Sequence, residues 1–141
     1  MSKSIIEILK EIGTLLEIKG ENPFKTNAYF NAAKTLSVTE NLDDIIKTKR
    51  LKQIKGIGEA LSQKIEEYSE TGRIAYYEEL KKEIPPSLIE LTAIPNLGPK
   101  KIKILYDELR ITNAGELEYA CKENRLVTLS GFGEKTQKKI L

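Results

Sequence analysis

A phrase built around glycine occurs three times in the chain, with Gly58, Gly98 and Gly133 spaced 40 and then 35 residues apart. The copies read IKGIGEALSQKI (54–65), IPNLGPKKIKIL (94–105) and LSGFGEKTQKKIL (129–141). Each has an apolar residue between its two glycine positions and a basic amphipathic run after them. A single Gly-x-Gly most often marks only a tight turn before a helix. Three copies in the same register predict a repeated structural unit.

The repeat has the pattern of a helix-hairpin-helix unit. Glycine permits the tight turn and a close backbone approach, and the helix that follows presents free N–H groups and its positive dipole end to an anion. Such a turn grips a phosphate without reading a base, so repeated units predict sequence-independent binding to a nucleic-acid backbone. Asn96 replaces one glycine, and asparagine tolerates positive φ better than most residues. The predicted backbone-binding residues are Lys55, Gly56, Gly58, Asn96, Gly98, Lys100, Lys101, Gly131, Gly133 and Lys135.

Other interpretations of the glycine phrases fit poorly. A dinucleotide fingerprint would need a third glycine where Leu61 stands, and the Gly-Lys-Ser/Thr of a phosphate loop is absent. The chain has no histidine and one cysteine, which excludes imidazole-dependent catalytic sites and a zinc finger. Cys121 is interpreted as a packing residue, and the lack of a disulfide fits a reducing cytoplasm.

Charge is unevenly distributed. The net charge is only +2, but the three lysine-rich clusters of the chain, at 47–64, 100–103 and 134–139, coincide with the glycine phrases. Random solvated charge has little reason to gather there. With 31% charged and 40% hydrophobic residues, the composition is typical of a globular protein. No apolar run is long enough to span a membrane, so we expect a cytoplasmic monomer with no membrane partner.

Hydrophobic periodicity predicts an all-α fold made of two small helical subdomains built around tandem helix-hairpin-helix motifs. Pro85-Pro86 is the clearest boundary, so the predicted domains are 1–84 and 87–141. Only 126–129 offers a short strand candidate. The chain stops at Leu141 inside a helix that has just begun, which suggests a fragment of a longer protein. The predicted helices cover about 4–19, 26–36, 41–48, 59–70, 74–82, 88–91, 99–109 and 114–123, with Thr26 or Asn27, Ser87 and Asn113 as caps.

Three stretches carry a family resemblance, namely NAYFNAAKTL (27–36), IKGIGEALSQKIEEYSETG (54–72) and IPNLGPKKIKILYDEL (94–109). In this order they resemble the N-terminal region of family X DNA polymerases, the DNA polymerase beta group, particularly bacterial and archaeal members. The resemblance covers essentially the whole chain. It implies a lyase-type DNA-binding domain over 1–84 and the start of a fingers-like subdomain over 87–141, with a second and a truncated third hairpin. The palm and its divalent metal ions would lie beyond Leu141, as would the PHP-type phosphoesterase domain that bacterial members often carry.

The resemblance also implies roles for individual residues. Lys64 matches the Schiff-base lysine, which attacks the sugar aldehyde left after base loss and permits β-elimination of the 5′-deoxyribose phosphate. Lys25, Tyr29 and Lys52 match the 5′-phosphate pocket. The chain departs from the family where Ala60, Phe30 and Asn31 replace basic pocket positions, so lyase activity stays an open question.

Two of these residues have a simpler interpretation. From spacing alone, Lys64 is better interpreted as a solvated lysine on an exposed helix face. Tyr29 lies on an apolar stripe and could be half-buried core, although tyrosine can bury its ring and still expose its hydroxyl. Schiff-base chemistry requires a neutral amine, and we expect Lys52 and Lys55 to supply positive charge that favours it.

The resemblance further implies a sodium or potassium ion at each hairpin, bound by the backbone carbonyls of Lys52, Ile54 and Ile57 and of Thr92, Ile94 and Leu97. The expected partner is gapped or nicked, 5′-phosphorylated DNA during repair. The alternative is a non-enzymatic helix-hairpin-helix module that binds protein or structured nucleic acid. Salt dependence separates the two, because a phosphate-binding protein weakens steeply as salt rises.

Overall fold

The computed structural model describes residues 4–95 and 97–126, and this part of the chain contains helices and no strand. The predicted all-α class is therefore confirmed. A short 3-10 turn at Leu51–Gln53 precedes the first glycine phrase and has no counterpart in the sequence prediction. The helices are α1 (Ile5–Lys19), α2 (Pro23–Ser37), α3 (Leu42–Lys47), α4 (Glu59–Thr71), α5 (Ala75–Glu83), α6 (Leu88–Leu91), α7 (Pro99–Leu109) and α8 (Ala114–Lys122).

The chain divides into two compact units. The first contains residues up to Leu16 together with Glu21–Glu83, and the second contains Glu17–Gly20 and residues from Ile84 onward. The functional roles assigned to domains 1–84 and 87–141 stay predictions. Asn96, the strand candidate beyond Leu126 and the whole third glycine phrase lie outside the described residues. None of the described helices has the length and apolar character that a membrane crossing requires.

The first unit buries the apolar faces of its helices. Gly13 on α1 allows a close approach, because a Cβ at this position would lie 2.9 Å from ring carbons of Phe30 on α2. Phe30, at a position where the resemblance implies a basic residue, packs against α1. The fully or almost fully buried side chains of this unit are Leu9, Ile12, Leu15, Leu16, Ala32, Ala33, Leu36, Leu51, Ile57, Ile65, Ile74 and Leu80.

Helix α2 begins earlier than the sequence predicts. The prediction of Thr26 or Asn27 as its cap is wrong. The Asn22 side chain is the cap, since its Oδ1 accepts a hydrogen bond of 2.8 Å from the Phe24 N–H. Pro23 occupies the first helical position, where its missing N–H costs nothing. Thr26 is buried inside the helix.

The second unit is built from α6 to α8. Asn113 caps α8 as predicted, because its Oδ1 accepts from the Glu116 N–H at 2.8 Å. Ser87 precedes α6, but its backbone is helical and its side chain makes no capping hydrogen bond, so that cap is wrong. Cys121 is buried, as expected of a packing residue, and burial raises the pKa of its thiol. Other buried side chains here are Ile84, Leu88, Leu91, Leu97, Ile102, Leu105, Ile111, Leu117 and Leu126.

Candidate functional site

The first hairpin closes through a single backbone hydrogen bond. The Ile57 N–H donates to the Ile54 carbonyl at 3.1 Å, and the Ile57 side chain is buried. Gly56 has φ of +95°, a left-handed conformation that favours glycine, so the turn itself requires this residue. Gly58 is different. It has φ of −84° and ψ of −178°, which any residue can adopt, and it is the N-cap of α4.

The second hairpin repeats this geometry. The Leu97 N–H donates to the Ile94 carbonyl at 3.2 Å, and the Leu97 side chain is buried. Gly98 is the N-cap of α7, with φ of −84° and ψ of 174°. The left-handed conformation predicted for Asn96 falls outside the described residues. The two hairpins therefore share the loop closure, the buried apolar anchor and the glycine that starts the following helix.

Both helix N-termini are open to a ligand. Gly58 and Gly98 are exposed, and a Cβ built on either would meet no atom of the described residues within 4 Å. A glycine cap has no side chain to accept a hydrogen bond from the first amides of the helix. Those amides and the positive end of the helix dipole are then available to an anion. Within the described residues, neither the backbone conformation nor a neighbouring atom requires glycine at these two positions.

A pocket of about 510 Å³ lies in the first unit beside the first hairpin. The predicted residues Lys25, Tyr29 and Lys64 line it, and so do both hairpin glycines. Lys52 does not line the pocket. Its ammonium lies 3.5 Å from Oε1 of Glu59, an exposed carboxylate that does line the pocket. Three of the four residues assigned to the lysine nucleophile and the phosphate pocket thus share one cavity.

The position of Tyr29 is compatible with both interpretations of this residue. Its side chain is only 6% exposed, and it still lines the pocket. Its ring stacks on Tyr76, with centroids 6.2 Å apart and planes inclined by 11°. Burial, with a smaller contribution from neighbouring Tyr76, raises the pKa of Tyr29 to about 12. The phenol therefore stays neutral throughout the physiological range and can donate a hydrogen bond to a phosphate oxygen.

Two lysines approach the same aromatic ring. The Lys64 ammonium lies 5.0 Å and the Lys25 ammonium 5.5 Å from the centroid of the Tyr76 ring. Lys64 is half-buried, whereas Lys25 is exposed. Lys64 is therefore not the fully solvated lysine that helix spacing alone favoured. Ala60, which replaces a basic pocket position implied by the resemblance, also lines the pocket.

Sequence reasoning missed Tyr76 and Glu59. Tyr76 and Tyr77 begin α5 as adjacent tyrosines, but Tyr77 is buried and Tyr76 is half-buried against the pocket. Helical periodicity separates neighbours by about 100°, which indicates that only one of the two can face the core. Nothing in the sequence near residue 76 indicates which residues the Tyr76 ring contacts. In the sequence, Glu59 is only an acidic residue within a basic cluster, and nothing there predicts its ion pair with Lys52.

Of the remaining residues predicted to bind the DNA backbone, the structure describes Lys55, Lys100 and Lys101. Lys55 is exposed beside the first hairpin, and Lys100 is exposed at the second position of α7. Lys101 is half-exposed and has an interaction partner within the protein. Gly131, Gly133 and Lys135 lie outside the described residues. The first two hairpins thus present lysines next to an open helix N-terminus.

The equivalent loop closures also bear on the predicted monovalent cations. The carbonyls of Ile54 and Ile94 each accept one backbone hydrogen bond at matching positions, and a carbonyl oxygen has a second lone pair. Neutral carbonyl oxygens are suitable ligands for hard cations. Carbonyl oxygens at these positions are chemically suited to such an ion, whose binding stays a prediction.

Comparison with known proteins gives two family matches and one relative. Residues 2–74 match a helix-hairpin-helix domain, and residues 88–141 match a SAM-like helix-hairpin-helix tandem. The chain is 38% identical over 143 residues to the DNA polymerase/3′-5′ exonuclease PolX of Bacillus subtilis (strain 168). This similarity covers 99% of the chain and 24% of that relative, so the chain spans about a quarter of the length of the curated relative it matches.

Proposed function

We propose that the chain binds DNA through the phosphate backbone. It belongs to the helix-hairpin-helix family, and its match to PolX supports an N-terminal fragment of a family X DNA polymerase. Its targets are gaps or nicks that carry a 5′-phosphate. It serves a longer repair polymerase in the cytoplasm, where the nucleotidyl-transfer chemistry belongs to other domains.

The paired hairpins carry this proposal. Gly58 and Gly98 place two helix N-termini in the same local geometry, each without a side chain over its first amides. Each N-terminus offers amide donors and a dipole end to one phosphate. Neither hairpin places a base-reading side chain at the glycine itself, so binding is insensitive to sequence. Lys55 and Lys100 add charge attraction beside them.

The pocket supports recognition of the 5′-phosphate. Lys25 and Lys64 supply positive charge, and Tyr29 supplies a neutral hydroxyl donor. Lys52 joins this set by exchanging its ion pair with Glu59 for the phosphate. An exposed ion pair is worth only about 0–1 kcal/mol, whereas a doubly charged phosphate offers several strong acceptor oxygens.

The lyase step follows from Lys64 in the same pocket. The Lys64 ammonium first loses a proton to solvent. The resulting amine attacks the C1′ aldehyde of a ring-opened 5′-deoxyribose phosphate, and loss of water gives an imine. Loss of the C2′ proton to solvent and cleavage of the C3′–O bond release the downstream strand with its 5′-phosphate. Water then hydrolyses the imine and regenerates Lys64. The half-buried position of Lys64 within the pocket favours it over an exposed surface lysine.

A sodium or potassium ion completes the proposal at each hairpin. The carbonyls of Lys52, Ile54 and Ile57 would hold one ion, and those of Thr92, Ile94 and Leu97 the other. When bound, such an ion supplies positive charge next to the DNA phosphate.

Fluorescence anisotropy on gapped DNA with and without a 5′-phosphate tests the function, each measured over a series of salt concentrations. We expect affinity to fall steeply with salt, and the 5′-phosphate to raise it several-fold. Lys25→Ala should remove this preference. Lys34→Ala is the matched control, because it lies nine residues further along α2, about 180° away at about 100° per residue, and should retain the preference.

Separate results would contradict 5′-phosphate recognition and the backbone contacts. Equal affinity for the two DNAs would show that the pocket does not recognise the phosphate. DNA binding that is weak and independent of salt would contradict the backbone contacts, and would favour the alternative of a module that binds protein.

A further inference from the structure

Tyr76 is the one aromatic residue on α5 that faces the pocket, and it joins three helices there. Its ring stacks on Tyr29 from α2, and the Lys64 ammonium from α4 lies over it. Lys25, also from α2, approaches the same ring. No local motif marks Tyr76 in the sequence.

The ring faces two like charges at once. The Lys25 and Lys64 ammoniums lie 5.5 and 5.0 Å from its centroid, within the range of a cation–π interaction. Long lysine side chains lose rotamer freedom when held in one place. Attraction to the negative face of the ring offsets this cost. The interaction belongs to the face of the ring, so the Tyr76 hydroxyl is not part of it.

We propose that Tyr76 is the positioning residue of this pocket, which holds the Lys25 and Lys64 ammoniums on one ring before any ligand arrives. A phosphate monoester at Lys25 and an aldehyde at Lys64 then meet side chains already in place. The ligand class rests on the proposed function. The ordering of the two lysines is a property of the free protein.

A positioning role for Tyr76 can be distinguished from a merely structural role by what each predicts in experiments. Loss of a half-buried ring lowers stability whatever the ring does for the lysines. Only a positioning role also predicts that the ε-methylene resonances of Lys25 and Lys64 are shifted upfield by the ring current of Tyr76. The phenylalanine variant retains the ring and should retain both effects.

The test compares wild type with Tyr76→Phe and Tyr76→Leu, and uses Tyr106→Leu as a control. Tyr106 also lies under a cation, with the Arg110 guanidinium carbon 5.4 Å from its centroid. Lysine side-chain NMR of the free protein, thermal unfolding, and anisotropy with 5′-phosphorylated and unphosphorylated gapped DNA are measured for all four. We expect Tyr76→Leu to lose the upfield shifts and most of the phosphate preference. Tyr76→Phe and Tyr106→Leu should retain both.

Two results would overturn the inference. One is that the lysine resonances of wild type are unshifted, or are the same in Tyr76→Leu. The other is that Tyr76→Leu loses the shifts and keeps the full preference for the 5′-phosphate. If wild type itself has no such preference, the proposed function fails, and the ring-current shifts alone then decide whether Tyr76 orders the two lysines.

Discussion

Gly58 and Gly98 have almost the same backbone conformation, with φ of −84° at both and ψ of −178° and 174°. Each begins a helix, and each would accept a Cβ without meeting an atom of the described residues within 4 Å. Gly56, two residues before Gly58, differs because its φ is +95°. Gly56 is thus required by the turn, whereas Gly58 leaves open space at the start of the helix.

The first prediction separates these two uses of glycine. Gly56→Ala should lower the free energy of unfolding by about 1–2 kcal/mol, because a Cβ is unfavourable at this φ. Gly58→Ala and Gly98→Ala should cost less than about 1 kcal/mol but lower DNA affinity several-fold. Urea unfolding and anisotropy on the same samples measure both effects. Unchanged DNA affinity in both N-cap variants would contradict phosphate binding at the hairpins.

The second prediction concerns the charge beside the second hairpin. Lys100→Glu combined with Lys101→Glu should weaken binding to a similar extent on unrelated DNA sequences, because the contacts proposed for these lysines are to phosphates. The slope of log affinity against log salt should become shallower by about 0.9 for each phosphate that the variant no longer neutralises. Lys122→Glu at the end of α8 reverses an exposed charge elsewhere in the same unit, and should leave the slope close to that of wild type.

The third prediction is a gain of affinity. Glu59 lines the pocket, and its carboxylate lies 3.5 Å from the Lys52 ammonium. It therefore competes with a phosphate for the positive charge of Lys52. Glu59→Gln should therefore tighten binding to 5′-phosphorylated DNA several-fold. Glu70→Gln removes the same charge at the far end of α4 and is the control. If both variants tighten binding equally, the gain reflects net charge and not the pocket.

The fourth prediction is covalent trapping at Lys64. Borohydride reduction during incubation with a pre-incised abasic substrate should yield a protein–DNA adduct. Lys64→Ala and Lys64→Arg should both lose it, because neither provides a primary amine, while Lys64→Arg retains the positive charge and most of the DNA affinity. An adduct of undiminished yield in these variants would assign the chemistry to another lysine. No adduct in wild type would limit the region to DNA binding.

The fifth prediction uses the pKa of Tyr29, which burial raises from 10.0 to about 12. Between these values the unfolded chain has lost the phenol proton and the folded chain retains it, so unfolding is favoured as pH rises. The stabilisation is complete below pH 10 and is lost progressively up to about pH 12. Tyr29→Phe should show a smaller loss of stability over this interval in urea unfolding. Identical pH profiles would show that the phenol is solvated.

Much of the fold is readable from the sequence because its signals are local. The apolar spacing of α1, the left-handed Gly72 after α4 and the Asn113 cap of α8 all act within a few residues. The family resemblance of the quoted stretches is confirmed by the matched domains and the relative. The predicted start of α2 is wrong because Asn-Pro fits a turn and a capped helix equally well, and only the Asn22 hydrogen bond distinguishes them.

The pocket is harder to predict because its parts are distant in sequence. Lys25 and Lys64 are identifiable only through the resemblance, and Tyr76 not at all. Nothing near residue 76 indicates that its ring meets Tyr29 and two lysines, since that depends on how three helices pack. The same applies to Phe30, whose packing against Gly13 depends on the close approach of α1 and α2.

The contrast between asparagine and glycine caps has a consequence for variants selected for stability, in the laboratory or in nature. Helices α2 and α8 begin at Asn22 and Asn113, whose side chains satisfy backbone amides, whereas α4 and α7 begin at glycines. A capping serine or aspartate at residue 58 or 98 is worth about 0.5–2 kcal/mol over alanine and a few tenths over glycine. Selection for heat resistance alone would therefore favour substitutions at the two positions where the proposed phosphate contacts need a bare backbone. In the variants that accumulate, the first helix amides would already be bonded to a side chain of the protein itself.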